Sequence, residues 1–233
     1  MKALILVGGQ GKRLWPKTKS VAKCMVQICD KPLVFYQIKW LKKYGIDEII
    51  FLTGCNDQSI RRYFGDGSSH GIRIGYSHEN IPLGRGGAIK NAINNFSLYK
   101  DILVISNGDM LTDAPLDKII EFHSNSHTLA TLMTVPYKTQ LGIVKTDNQD
   151  RVIDFSEKTQ LPFWINAGIY ICSPGFFNYL PDKGDHEVET FPKLANLKKL
   201  KAYKSDDNWI SVDTMKDLKN CEIFIIDNLL NKS

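Results

Sequence analysis

Apolar residues in the first half of the chain come in short blocks set off by turn residues. Ala3–Val7, Ile49–Thr53, Ile72–Tyr76 and Ile102–Ser106 are such blocks, each with glycine, aspartate or asparagine close by. Runs of that length with turn signals beside them predict short buried strands. Between the first two, Leu33, Tyr36, Ile38, Trp40 and Leu41 recur at close to the helical period. They predict a helix over Pro32–Tyr44 that Gly45 stops. Ala88–Phe96 and Pro115–Phe122 predict two more helices, the last with proline near its start, where a missing N–H costs nothing. Strands alternating with short helices imply parallel β-α-β units. The expected fold is α/β, a doubly wound, mostly parallel sheet.

The texture changes after Ala130. Leu129–Val135, Gly142–Lys145, Val152–Phe155 and Ile165–Cys172 follow closely, with turns such as Asp147-Asn148 and no long helix between them. That pattern predicts a small antiparallel insertion carried on the main sheet. Helical pattern returns over His186–Lys199 and Thr214–Leu230. No internal repeat or low-complexity linker divides the 233 residues, enough for one large domain, so residues 1–233 read as a single domain.

Composition narrows the class. Hydrophobic content of 43% and charged content of 24% are ordinary for a soluble globular protein. No apolar run approaches the ~18 residues of a membrane span. The apolar run after Lys2 is too short for a secretory signal, so a cytoplasmic protein without membrane partners is expected. The 5 cysteines form no C-x-x-C pair, which argues against a disulfide framework or a structural zinc. Net charge is +5. One basic concentration, Lys198, Lys199, Lys201 and Lys204, reads as a solvated face, and no nucleic-acid motif accompanies it.

The other basic concentration carries the chemistry. Ala3–Val7 runs into Gly8-Gly9-Gln10-Gly11-Lys12-Arg13-Leu14-Trp15-Pro16, and no acid occurs from Met1 to Cys29. Lys12, Arg13, Lys17, Lys19 and Lys23 crowd the same segment. Glycines let backbone N–H groups approach a ligand, and the cations give that ligand a negative sign, best met by a polyphosphate. The dinucleotide fingerprint fails because Leu14 stands where its third glycine belongs, and Walker A fails at Leu6 and Arg13. Ligands of doubly wound sheets bind outside the carboxyl ends of the strands. Gly8–Gly11 lies at that edge after the first strand, and Asn107-Gly108-Asp109 after the Ile102–Ser106 strand. Chain direction alone thus brings an acid to the glycine loop.

The remaining pattern, G-G-x-G-x-R-L-x-P, resembles the signature loop of the sugar-phosphate nucleotidyltransferases, with Lys12 where Thr or Ser is usual. Lys23 in Ala22-Lys23-Cys24 is similar to the lysine of that family's Pro-Lys-Pro stretch, with both prolines replaced. Pro82-Leu83-Gly84-Arg85-Gly86-Gly87-Ala88 resembles its L-G-T-G-G-A loop, Arg85 standing for Thr and either meeting a phosphate or pointing to solvent. Gly108-Asp109 resembles its Gly-Asp, and Trp209–Thr214 its W-x-D-x-x-T in loosened form. Leu141-Gly142, Glu157-Lys158 and Asn166-Ala167-Gly168 resemble its Y-G, E-K and N-A-G stretches.

The resemblance implies a Rossmann-like, glycosyltransferase-A-like fold in which 1–130 binds nucleotide and 131–233 binds sugar phosphate, with no C-terminal β-helix domain. It implies that an NTP and a sugar 1-phosphate give NDP-sugar and pyrophosphate with magnesium (Mg2+). Arg13 would hold the departing pyrophosphate and Lys23 the reacting phosphates. Leu6, Gly8, Gly9, Gly11, Lys12, Pro82, Gly84, Gly86, Gly87, Asn107 and Gly108 would bind nucleotide. Gly142, Glu157, Lys158 and Asn166 would bind the sugar phosphate, and Asp109 and Asp213 the metal. Asp213 also precedes a helix, where an acid serves as N-cap. GTP and a manno-configured hexose or heptose are favoured. Uridylyl, thymidylyl or cytidylyl transfer is the alternative, and a nucleotide-sugar sensor is the rival of another class. A homo-oligomer is left open. The pair His78-Glu79 flanks the base-side loop and either lines the pocket or, the favoured reading, forms a surface turn, and no Ser or Cys carries a nucleophile signature.

Overall fold

A computed structural model describes residues 1–9, 11–19, 21–54, 57–139 and 141–227. Its first half holds β1 (Lys2–Leu6), β2 (Gln27–Ile28), β3 (Lys31–Pro32), α1 (Leu33–Lys43), β4 (Glu48–Thr53) and α2 (Gln58–Phe64). Then come β5 (Arg73–His78), α3 (Gly84–Asn95), β6 (Leu103–Asn107), β7 (Met110–Thr112) and α4 (Leu116–Ser124). The second half holds β8 (Ala130–Lys138), β9 (Ile143–Thr146), β10 (Val152–Ser156) and β11 (Gln160–Cys172). It ends with α5 (Thr190–Asn196), β12 (Leu200–Lys204), β13 (Trp209–Ser211) and α6 (Met215–Ile225).

The main sheet has 7 strands in the order β12-β8-β11-β6-β1-β4-β5. β1 lies parallel between β4 and β6, and β5 continues the parallel half beyond β4. The continuous apolar runs follow from burial on both faces: Ala3 and Ile5 join one core with α1, α2 and α4, while Leu4 joins another with α3 and α5. A third cluster packs α6 on Leu14, Val26, Ile28 and Leu33. The α/β expectation holds, and helices do cover both faces.

Several expectations change. β8 and β11 are strands of the main sheet, β11 running antiparallel to both β6 and β8. Their inner ends, Ala130 and Met133 with Ala167 to Cys172, are buried like central strands. Only the β9–β10 ribbon stands apart as an antiparallel insertion. α3 starts at Gly84, so the second glycine stretch is the first turn of the helix and not a loop before it. The helix expected over His186–Lys199 shrinks to α5: the 182–187 segment before it is seated on the start of α3, and Lys198, at φ +57°, turns the chain out of the helix before edge strand β12 begins at Leu200. Its lysines are not simply solvated: Lys201 and Lys204 sit over the rings of Phe122 and Trp164, and Lys199 over Tyr179. Lysine on an edge strand also discourages pairing with another chain. α6 is described to Ile225, and the end of the expected helix, Asn228–Leu230, lies outside the described residues. Cys24, Cys172 and Cys221 are buried free thiols and Cys29 is a partly buried one; Cys55 lies outside the described residues. No helix among the described residues is long and apolar enough to cross a membrane.

Candidate active site

The carboxyl edge of β1 and β6 holds the glycine loop and the first acid, as chain direction required. Gly108 N–H donates to the Leu6 carbonyl at 2.9 Å, and a Cβ on Gly108 would sit 2.8 Å from that oxygen. Only glycine lets the two strand exits close so tightly, and Asp109 follows at once. Gly11 has φ +58°, and a Cβ there would lie 3.0 Å from the Lys23 and Thr18 side chains, so the turn brings Lys23 back under the loop. Thr18 donates to the Gly11 carbonyl at 2.7 Å and fixes that return. A Cβ on Gly9 would meet nothing within 4 Å, which leaves this stretch of backbone open to the cleft.

Asp213 arrives by a device absent from the sequence reading. β13 pairs antiparallel with β7, Ser211 opposite Met110, and Val212 N–H donates to the Asp109 carbonyl at 2.8 Å. The two acids therefore leave one end of a short ribbon side by side. Asp213 is not the helix cap. Thr214 caps α6 in a reciprocal box with Asp217, the Thr214 N–H donating to Asp217 Oδ2 at 2.7 Å. The Asp213 carboxylate is left for the site.

Lys23 Nζ lies 2.5 Å from Asp109 Oδ2 and 2.7 Å from Asp213 Oδ1, and Arg13 Nη2 reaches the same Asp213 oxygen at 2.7 Å. Burial pulls the Lys23 ammonium down, but the carboxylates of Asp109 and Asp213 outweigh it and raise its pKa above the ordinary value. Burial pushes Asp213 up, and Lys23 and Arg13 more than reverse this, holding it below the usual carboxylate range. Gly9, Gly11, Lys12, Arg13, Lys23, Asp109 and Asp213 together line a recess of about 230 Å³. All the expected catalytic and metal residues thus share one hollow.

A neighbouring cleft of about 330 Å³ is lined by Leu6, Gly8, Gly9, Pro82, Gly84 and Asn107, all expected for nucleotide, together with Asp109, expected for the metal, and with Glu79 and Arg85. Glu79 is no surface turn: it also lines the adjoining pocket with Val7, Gly54 and Asp57. One of its oxygens accepts the Leu83 N–H at 2.9 Å, and the other faces Gly8 and Gly54. Its neighbour His78 turns aside to Asp57, 3.3 Å away. Gly86 and Gly87 are buried and do not line this cleft. A Cβ on Gly86 would lie 2.8 Å from the His186 nitrogen, and one on Gly87 2.6 Å from the Asp182 carbonyl. Gly84, at φ +76°, is pressed against the Gly184 carbonyl, which also accepts the Gly86 N–H at 2.9 Å. These glycines seat the 182–187 segment on the start of α3.

Asn166 enters a third recess of about 220 Å³ with Arg85, Asn107, Asp109, Gly168, Glu187, Trp209 and Ser211. Glu187 carries no motif of its own, and it came to this wall through the seating just described. Gly142, Glu157 and Lys158 line none of these hollows. Glu157 and Lys158 are exposed in the turn after β10, because the ribbon that carries them stands off the main sheet. Their expected place beside Asn166 is not what the structure shows.

Residues 2–228 match the family model described as nucleotidyl transferase. The chain is 37% identical over 227 residues to D-glycero-alpha-D-manno-heptose 1-phosphate guanylyltransferase of Aneurinibacillus thermoaerophilus, covering 95% of this chain and 97% of that one. It is 34% identical over 223 residues to mannose-1-phosphate guanylyltransferase of Mycobacterium tuberculosis, covering 92% of this chain. The chain spans about three fifths of the length of several curated relatives it matches, 61% and 62% in two of them. Among solved structures, HddC from Yersinia pseudotuberculosis superposes with a TM-score of 0.75 at 27% identity, covering 96% of this chain and 99% of that one. The fold, the shared hollow and these matches agree: the chain belongs to the nucleotidyl transferase family.

Proposed function

We propose that this protein transfers a guanylyl group from GTP to the 1-phosphate of a manno-configured hexose or heptose, giving GDP-sugar and pyrophosphate. The observation that carries this reading is Lys23 Nζ held between Asp109 and Asp213 beneath the open glycine loop. A phosphate oxygen of the sugar 1-phosphate forms a bond to the α-phosphorus of GTP, and the bond from that phosphorus to the α–β bridging oxygen breaks. The pyrophosphate leaves with the bond's electrons. Such a step needs two anions held in line and positive charge on the departing oxygens. Arg13, with 73% of its side chain exposed at the mouth, is free to swing onto the departing β- and γ-phosphates with a bidentate grip. Lys23 remains charged at neutral pH and stays with the reacting phosphates.

Asp109 and Asp213 offer oxygens that converge on one point from two chain segments, which suits a divalent cation that takes its other ligands from phosphate and water. Among the described residues no group of three or more His, Cys, Asp or Glu is placed to hold a metal alone, so the substrate completes the set. Magnesium bound there would supply charge neutralisation on the phosphates. The preference for guanine is supported by Glu79. A carboxylate only accepts hydrogen bonds, and guanine presents adjacent N–H donors, whereas uracil and thymine flank a single N–H with carbonyl oxygens. The relatives named for guanylyl transfer support the same base. Buried free thiols fit a reducing cytoplasm.

Pyrophosphate release, measured with each of the four NTPs against mannose, glucose and heptose 1-phosphates, tests the proposal. Turnover is expected with GTP and a manno-configured acceptor. Turnover with UTP alone would overturn the base. Tight nucleotide binding without turnover for any pair would overturn the activity and leave a nucleotide-sugar sensor.

A further inference from the structure

We propose that the Glu187 carboxylate reads a hydroxyl of the acceptor sugar, and that Arg85 is the positioning residue that aims it. This rests on the acceptor being a sugar 1-phosphate, as proposed above. Glu187 lines the recess that also holds Asn166, Asp109 and Ser211, and its side chain is 25% exposed there. It is fixed from two elements. On β11, the Tyr170 hydroxyl donates to Oε1 at 2.6 Å and Asn166 Nδ2 donates to the same oxygen at 3.1 Å. On α3, Arg85 Nη2 lies 2.9 Å from Oε2.

Tyr170 is buried and its phenol is pushed up, first by burial and then by the Glu187 charge, so it stays protonated and stays a donor. Arg85 is itself held by a second carboxylate, its Nε donating to Asp185 Oδ2 at 2.8 Å. Burial lowers the guanidinium pKa, but Asp185 and Glu187 reverse this and raise it, so the charge is permanent. Glu187 is therefore a rigidly held acceptor at the wall of the recess. A carboxylate offers about four acceptor positions, and these three donors leave one for a ligand.

Such a group rewards a hydroxyl and repels a phosphate. It would orient the acceptor with its hydroxyl edge toward Glu187 and its phosphate toward Lys23. It would also discriminate sharply, because a site built to hydrogen-bond a hydroxyl loses that bond when the hydroxyl is missing. Arg85 also lines the nucleotide cleft, so one side chain serves as the wall between the two substrates. Of the two readings open for Arg85, phosphate contact or solvent, the structure supports neither as its main role.

The test is calorimetric binding of mannose 1-phosphate and its monodeoxy analogues to the full-length wild type, Glu187→Gln and Arg85→Lys. Glu187→Gln should bind mannose 1-phosphate about tenfold or more weakly, the scale of one hydrogen bond to a charged group. It should bind GTP as wild type does. For one monodeoxy analogue the loss should vanish, because the hydroxyl that Glu187 reads is gone. Arg85→Lys should show a smaller loss against the same analogue. Equal loss for every analogue, no loss at all, or wild-type protein that binds none of them overturns the inference. Thermal melts identify an unfolded variant, in which case Arg85→Lys alone decides. Failure of wild-type turnover would sink the activity proposed above and leave this binding comparison to stand or fall separately.

Discussion

Lys23 is the residue on which most of the site's electrostatics converge, and its removal should separate chemistry from folding. In Lys23→Met the loss of one preorganised cation should cost turnover roughly 10²–10³-fold, with melting by circular dichroism still cooperative. A variant turning over at near wild-type rate would sink the role. The ion triad has a defined pH range. Lys23's folded pKa is raised, so its contribution is present below about 10.5 and is lost as pH rises through the folded value. Asp213's is depressed, so its contribution is present above about 3.8 and is lost as pH falls through the folded value. His186 acts in the same direction as Asp213, losing stability as pH falls, but in a higher window. It is wholly buried between Tyr170 and Phe191, with neither ring nitrogen hydrogen-bonded among the described residues, and burial lowers it to about 4 from 6.5. Between those pH values the unfolded chain takes up a proton there and the folded chain does not. Stability should therefore fall with acid across that window, by about 3 kcal/mol at most from this residue. Urea titrations of His186→Phe should show a flatter profile, with a remainder from the buried His123, which burial also lowers. An unchanged slope would count against the assignment. At this scale Arg13, Lys23 and Asp109 were legible because cations crowded in an acid-free segment and an acid at a strand exit carry their own signal, whereas Asp213 was legible only through the resemblance of Trp209–Thr214 to a family stretch. Glu79 was legible only as the less favoured of two readings and Glu187 not at all, since a carboxylate in a turn looks solvated until the chain that covers it is known.

At the scale of elements, the long apolar runs were readable and the three-residue strands were not. β1, β4 and β6 announce themselves because both faces are buried. β7 and β13 are too short for any periodic signal, yet their pairing places Asp213 beside Asp109. The glycines after Pro82 were legible as a motif and misleading as to cause. They read as backbone opened toward a nucleotide, whereas Gly86 and Gly87 are closed by the 182–187 segment. Gly86→Ala tests that cause. Its Cβ would fall 2.8 Å from the His186 nitrogen and 2.9 Å from Pro181. Overpacking of this kind costs about 1–3 kcal/mol. Because the displaced segment carries Glu187, KM for the sugar phosphate should rise more than KM for GTP. The reverse order would mean the glycine serves the nucleotide directly. Thr214 gives a second test: Thr214→Ala should lower stability by about 1 kcal/mol as a lost cap, while Asp213 retains its bonds to Lys23 and Arg13. If metal dependence and turnover collapsed with the cap, Asp213 would depend on it for its position.

Across the whole molecule, the two substrate halves suggested by the sequence share a single sheet. β6, from the first 130 residues, lies between β1 and β11, and the acid that follows it is completed by β13 from the far end of the chain. A fragment ending at residue 130 would keep β1, β4, β5 and β6 but lose β11 from the open side of β6. That edge would expose unpaired backbone, and Ile105 and Val104 would lose their neighbours Tyr170 and Ile171. The third core cluster would lose Val212, Leu218, Cys221 and Ile225, stripping the cover from Leu14 and Val26 beside the glycine loop. The fragment is thus expected to aggregate or to unfold without a cooperative transition, and to bind GTP at least a hundredfold more weakly than the full chain, if at all. Co-expression with residues 131–233 should restore both solubility and binding, because the missing pairings are edge-to-edge contacts that a separate chain can supply. Solution scattering and calorimetry on the fragment alone check the point. A soluble, cooperatively melting fragment with wild-type GTP affinity would show that the nucleotide half is a unit by itself, and that the continuous sheet is a convenience of packing and not a requirement of the site.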